Sequence, residues 1–155
     1  AALAGAEVCH VDAVADINDW ARQNAAASGL SQAPVRWITD DVSKFVAREI
    51  RRGRKYDGVI LDPPSYGKGP HGEKWILEEH LVKLLDMLMQ VVSDKPRFAL
   101  FTCHTLGFSP VLMQNLLLPW TRRFGGTMES GTMVLRQPQC RCALPTGFFA
   151  RWRHE

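Results

Sequence analysis

Asp62, Pro63, Pro64, Ser65 and Tyr66 form the stretch of this 155-residue chain that is hardest to explain as packing. A carboxylate, two prolines, a hydroxyl and an aromatic ring follow one another at the end of the apolar run Val59, Ile60 and Leu61. Proline fixes its own φ and pushes the residue before it into an extended conformation. Pro63 and Pro64 therefore stiffen a strand exit and leave carbonyl groups without competing local N–H donors. Such an exit offers a carboxylate oxygen, fixed carbonyls and a ring face to a ligand. The plainer reading is a rigid turn that binds nothing, but turns seldom use this order of residues.

The other residues of comparable chemistry also close apolar runs. Asp12 ends "AEVCHVDA", Asp40 and Asp41 end "APVRWITDD", and Thr102 to Thr105, "TCHT", end "RFALFTC". Between these strands the pattern turns helical. "VADINDWARQNAAASG" sets Ile17, Trp20, Ala21 and Asn24 at helical spacing and stops at Gly29. "VSKFVAREIRRG" points Val42, Phe45, Val46 and Ile50 inward behind an Asp41 N-cap. "LEEHLVKLLDMLMQVVSD" carries Leu81, Leu84, Leu85, Leu88, Val91 and Val92 on one face. Ser109 and Pro110 open a fourth helix. "GTMVLRQ" and "GFFARWR" read as two strands of an antiparallel hairpin. The order β-α-β-α-β-α-β-α-β-β predicts one α/β domain with a largely parallel sheet, the run before Asp62 being a central strand covered on both faces. Ligands of such sheets bind at the carboxyl ends of the strands, where Asp12, Asp40, Asp41, Asp62 and "TCHT" are expected to meet. Helix capping alone would account for one or two of these acids, Asp12 before Ala13 among them.

Composition narrows the classes. A hydrophobic content of 46% supports a buried core, and the net charge of +3 permits an anionic partner without requiring one. No apolar run has transmembrane length, and the first residues lack a signal-peptide pattern. The four cysteines, Cys9, Cys103, Cys140 and Cys142, read as reduced cytoplasmic thiols. The Cys140-x-Cys142 pair supplies only half of a structural zinc site, so no metal is expected. "GKGPHGEK" has Glu73 where a phosphate-binding loop requires lysine, and reads as a mobile flap beside a substrate. Arg48, Arg51, Arg52, Arg54 and Lys55 cluster at a helix end. A solvated helix terminus explains them, and phosphates of RNA would select the same cations.

With Asp12, Asp41 and "DPPSY" in this order, the chain resembles the class I S-adenosylmethionine-dependent methyltransferases. The branch it resembles is related to ribosomal RNA methyltransferases acting on cytosine C5 or guanine nitrogen, and the resemblance includes "ALPTGFFARW". It implies a Rossmann-like sheet, S-adenosylmethionine as cofactor and an RNA base as acceptor. Asp12, beside Ala13, would accept from the ribose hydroxyls. Asp41 would accept from the adenine amino group with Val42 against the ring, Asp40 being the competing position. Asp62, Pro63 and Pro64 would hold an acceptor amino group under a stacked Tyr66. Relatives that methylate cytosine C5 place a cysteine after the fifth strand, and Cys103 stands near that position. An ordinary buried thiol is the competing reading of Cys103. The resemblance also implies that a first strand and a glycine-rich turn precede "AALAGAE", making residues 1–155 a partial catalytic domain. Alone, such a piece is expected to bind cofactor weakly and to leave central strand edges unpaired. A nicotinamide-dependent oxidoreductase and a non-catalytic Rossmann-like fragment are the alternative readings. Neither uses "DPPSY".

Overall fold

The computed structural model describes residues 1–69, 71–139 and 142–154. A 3₁₀ turn (Ala2–Ala4) ends at Gly5 and is followed by β1 (Val8–Asp12), α1 (Ala15–Ala27), β2 (Val35–Thr39), α2 (Val42–Arg51) and β3 (Gly58–Leu61). A short hairpin of β4 (Tyr66–Lys68) and β5 (Lys74–Ile76) leads into α3 (Leu77–Val91). Then come β6 (Phe98–Cys103), α4 (Pro110–Phe124), β7 (Thr127–Arg136) and β8 (Ala143–Arg153). The expected alternation is present and closes on the antiparallel hairpin.

Its main strands form two hydrogen-bonded pieces. β1 and β2 pair in parallel, with Asp12 opposite Thr39. The second piece has the order β3-β6-β8-β7, in which β3 and β6 are parallel and β8 is antiparallel to both neighbours. The β4–β5 hairpin is a separate ribbon, formed where the sequence predicts a flap.

Local signals explain the helix starts. The Asp41 carboxylate accepts from the Lys44 N–H at 2.8 Å, and the Ser109 hydroxyl accepts from the Leu112 N–H at 3.2 Å. α3 is the packing centre. Its Leu77, Leu81 and Leu85 pack with Phe101, Trp120 and Trp152, whereas Leu84, Leu88 and Val91 pack with Phe45 and Val46 of α2. One helix thus serves both sheet pieces.

A buried polar group reinforces that junction. Glu49 of α2 is 1% exposed, and its carboxylate accepts from the Tyr56 hydroxyl at 2.6 Å and from Arg52 at 3.0 Å. Burial alone would raise the Glu49 pKa, but these two donors outweigh it and hold the carboxyl below its ordinary range. Burial, and then the Glu49 carboxylate, push the Tyr56 hydroxyl well upward. Cys9 on β1 packs against the same core cluster as Tyr56, and burial pushes its thiol upward, so β1, α2 and the approach to β3 meet there.

Two expectations fail. β3 is not covered on both faces: Val59 and Leu61 reach the core, but Ile60 between them is 59% exposed. In α1, Ile17 and Trp20 remain 41% and 62% exposed, and the residue carried inward is Asn18. Its amide donates to the Asp12 carbonyl at 3.3 Å, the Ile38 carbonyl at 3.1 Å and Thr39 Oγ1 at 2.9 Å. Asn18 lies one residue beyond Ile17, about 100° around the helix, so anchoring it turns the apolar stripe outward.

Tyr56→Phe leaves the buried Glu49 carboxylate short of a donor and is expected to cost about 1–3 kcal/mol in urea unfolding. Because the Glu49 carboxyl is held low, its contribution is present at neutral pH and lost as pH falls below the ordinary carboxylate range. The variant should therefore show a flatter acid limb of stability. Equal stability at both neutral and acid pH would remove the cluster from this role.

Candidate active site

Leu61 and Phe101 are register partners in the parallel pair β3–β6, so Asp62 and Thr102 leave the sheet side by side. The two exits are tied to each other. Thr102 donates its hydroxyl to Asp62 Oδ1 at 2.6 Å, and the Ser65 and Thr105 hydroxyls lie 2.7 Å apart. His104 Nε2 stands 3.6 Å from Asp62 Oδ1, while Nδ1 lies 2.5 Å from the Thr146 carbonyl of β8. Both the Asp62 and His104 side chains are more than half exposed and accessible to a ligand.

One of the two proline carbonyls is engaged. The Trp75 indole N–H donates to the Pro64 carbonyl at 2.7 Å, and the Leu77 N–H donates to the Ser65 carbonyl at 3.0 Å. The Pro63 carbonyl takes no hydrogen bond among the described residues. Half of the stiff exit is thus held by the hairpin and α3, and half remains open. Tyr66 begins β4 with its ring 55% exposed.

A second group of carboxylates lies at the β1 and β2 exits. Asp12 Oδ1 accepts from the Val14 N–H at 2.8 Å, and Asp41 Oδ1 caps α2 as described. Oδ2 of each has no hydrogen-bond partner among the described residues. Asp40 differs, because Arg48 ion-pairs with it. Lys44, in the first turn of α2, ion-pairs with Glu73 in the hairpin. That Lys44 contact, with the backbone N–H groups of Glu73 and His71, lowers the Glu73 carboxyl to about 2. This ion pair brings the start of α2 and the loop after Asp62 to the same side of the molecule.

Of the sequence-derived candidates, Asp12, Ala13, Asp41 and Val42 lie at the first pair of exits, and Asp62, Pro63, Pro64 and Tyr66 at the second. Cys103 does not join them. β6 alternates its faces, so the Cys103 side chain is fully buried in the core with Phe101 and Met113, while Thr102 faces Asp62. The basic run is also elsewhere. α2 leads away from the exits, and Arg48, Arg52 and Lys55 are engaged by Asp40, Glu49 and the Gln90 carbonyl. Cys140 of the Cys-x-Cys pair lies outside the described residues, and no group of metal-ligating side chains occurs among the described ones. Nor is any described helix long and apolar enough to cross a membrane.

Sequence reasoning missed Trp75, Lys44 and Glu73. A tryptophan placed just after a glycine-rich loop was a usable signal, since an indole N–H near such a loop needs an acceptor.

No family model matches the chain. A solved S-adenosylmethionine-dependent methyltransferase of Agrobacterium tumefaciens is 40% identical with a TM-score of 0.92, over 99% of this chain and 51% of that one. The ribosomal RNA large subunit methyltransferase I of Aeromonas salmonicida is 37% identical over 62 residues, 40% of this chain and 16% of that enzyme. Magnesium protoporphyrin IX methyltransferase of Synechocystis, solved with bound S-adenosylmethionine, has a TM-score of 0.55 at 17% identity over 98% of this chain and 62% of its own, and shares the fold. The chain thus spans about half of the first relative and a smaller part of the second.

In fold, and in sequence over nearly its whole length, the chain is thus similar to S-adenosylmethionine-dependent methyltransferases of class I. Over part of its length it is also similar to a ribosomal RNA methyltransferase.

Trp75→Phe removes the donor to the Pro64 carbonyl and should loosen the β3 exit without unfolding the chain. A hydrogen bond is worth about 0.5–1.5 kcal/mol, so exchange of the Leu77 amide should quicken roughly two- to tenfold. Unchanged exchange would show that the indole does not hold the exit.

Proposed function

We propose that this protein transfers the methyl group of S-adenosylmethionine to a base in RNA, with ribosomal RNA as the substrate. The observation that carries the reading is the locked pair of exits, in which Asp62 and Ser65 are tied to Thr102 and Thr105. Kinship with ribosomal RNA large subunit methyltransferase I supports the RNA substrate. Residues 1–155 are read as part of one catalytic domain, in keeping with the share of its relatives that the chain spans. The reading assigns it to the cytoplasm, where ribosomal RNA and reduced thiols are found together.

The donors fit the cofactor. The partnerless oxygens of Asp12 and Asp41 are acceptors suited to ribose hydroxyls and to an adenine amino group. Ala13 and Val42 flank them, and the Val42 N–H at the start of α2 belongs to the unpaired donors of a helix end. Asp40 is a poorer choice, being taken by Arg48. The cofactor, when bound, supplies a methyl group already activated on a sulfonium. What remains for the protein is alignment, which can supply most of the rate. Asp62 and the open Pro63 carbonyl hold the acceptor, and Tyr66 stacks on the base. Transfer to a base nitrogen is favoured over cytosine C5, because the C5 route needs a cysteine to attack the ring and the Cys103 thiol lies in the core. An oxidoreductase reading leaves the Asp62–Tyr66 exit without a use, and a scaffold reading leaves both groups of carboxylates without one.

Thermal shift separates the three, since a ligand stabilises the state it binds. S-adenosylmethionine and its demethylated product should raise the melting temperature more than NAD does; a larger shift with NAD overturns the cofactor. By calorimetry, Asp12→Ala should weaken S-adenosylmethionine binding by about 1.5–3 kcal/mol per charged hydrogen bond lost. Unmodified ribosomal RNA should take up labelled methyl, and uptake by free metabolites alone would refute the RNA acceptor.

A further inference from the structure

We infer that His104 is the catalytic base that accepts the proton released in methyl transfer, an inference that rests on the methyltransferase reading above. Replacing a hydrogen of the acceptor by methyl obliges one proton to leave. The acceptor–carbon bond forms, the carbon–sulfur bond breaks with its electron pair staying on sulfur, and the acceptor's proton needs a base. That balance holds for a nitrogen or a carbon acceptor. Thr102 already donates to Asp62 Oδ1, so the base is sought beside that carboxylate.

The ring of His104 is set for the task. A carbonyl oxygen can only accept, so the 2.5 Å contact of Nδ1 with the Thr146 carbonyl places a proton on Nδ1. In the neutral ring, Nε2 then carries the lone pair. Nε2 is the atom directed toward Asp62, 3.6 Å from Oδ1, on the exposed side of the exit. Once Nε2 takes a proton, the Asp62 carboxylate beside it stabilises the imidazolium. Asp62 is the charged side chain facing His104 among the described residues; β8 presents the Thr146 carbonyl and Gly147.

Gly147 belongs to the same arrangement. Its φ of +142° suits glycine, and a Cβ there would stand 2.6 Å from the Cys103 carbonyl oxygen and 2.9 Å from His104 Nδ1. The missing side chain is what lets the imidazole settle onto the Thr146 carbonyl.

The test is single-turnover methyl transfer from S-adenosylmethionine to unmodified ribosomal RNA across pH, for the unaltered protein and for His104→Gln, with calorimetry of S-adenosylhomocysteine binding beside it. Loss of a general base is expected to lower the rate about 100-fold or more and to abolish the rise of rate with pH. Product-analogue affinity should stay within about twofold. A rate within threefold of the unaltered protein, with the same pH rise, overturns the assignment. Long-range ¹H–¹⁵N spectra of the His104 ring give a readout independent of the substrate: the neutral ring should carry its proton on Nδ1, and a neutral ring protonated on Nε2 overturns the assignment. If the unaltered protein methylates no RNA, the RNA reading fails and the tautomer alone decides the role of His104.

Discussion

Among the described residues no backbone ladder joins β1 to β3, so the two pieces of sheet are held in register by side chains. That constraint shapes the rest of the molecule. Phe45 and Val46 of α2 pack on Leu84, Leu88 and Val91 of α3, and α3 is anchored in turn on the β6–β8 core through Leu81 and Leu85. Apolar packing is non-directional, so it supplies attraction without fixing a register. The Glu49–Tyr56 hydrogen bond adds direction where α2 leads into β3, because a buried carboxylate tolerates little displacement from its donors. Glu49 is therefore an alignment device as well as a pH-dependent contributor to stability.

The carboxyl ends of the two sheet pieces are linked on one side of the molecule. The β1–β2 exits hold Asp12 and Asp41, and the β3–β6 exits hold Asp62, Thr102 and His104. The Lys44–Glu73 ion pair connects them, running from the first turn of α2 to the β4–β5 hairpin. It is exposed and of modest strength, as surface pairs are. Trp75 gives the same hairpin a firmer foot at Pro64.

Asp62 shows how one carboxylate can serve several partners. Thr102 fixes its orientation, His104 approaches the same oxygen, and Pro63 behind it keeps the backbone extended. Orienting such groups before a ligand arrives lowers the ordering cost of whatever they bind.

What the sequence determined by itself was local and periodic. The Asp41 and Ser109 caps, the apolar stripe of α3, the order of elements and the acidic strand exits all follow from propensities acting over a few residues. The "DPPSY" exit was legible for the same reason, since proline restricts the backbone wherever it stands. Tertiary structure decided whatever depended on which face a neighbour covers. The spacing of Ile17 and Trp20 could not show that Asn18 would take the inward face of α1, because its three acceptors come from β1 and β2. The composition of "TCHT" could not settle which residue turns outward. That depended on the register of β6 against β8, which buries Cys103 opposite Phe148 and sets His104 beside Thr146. A strand's period of two makes such choices all-or-none, and only the partner strand fixes the phase.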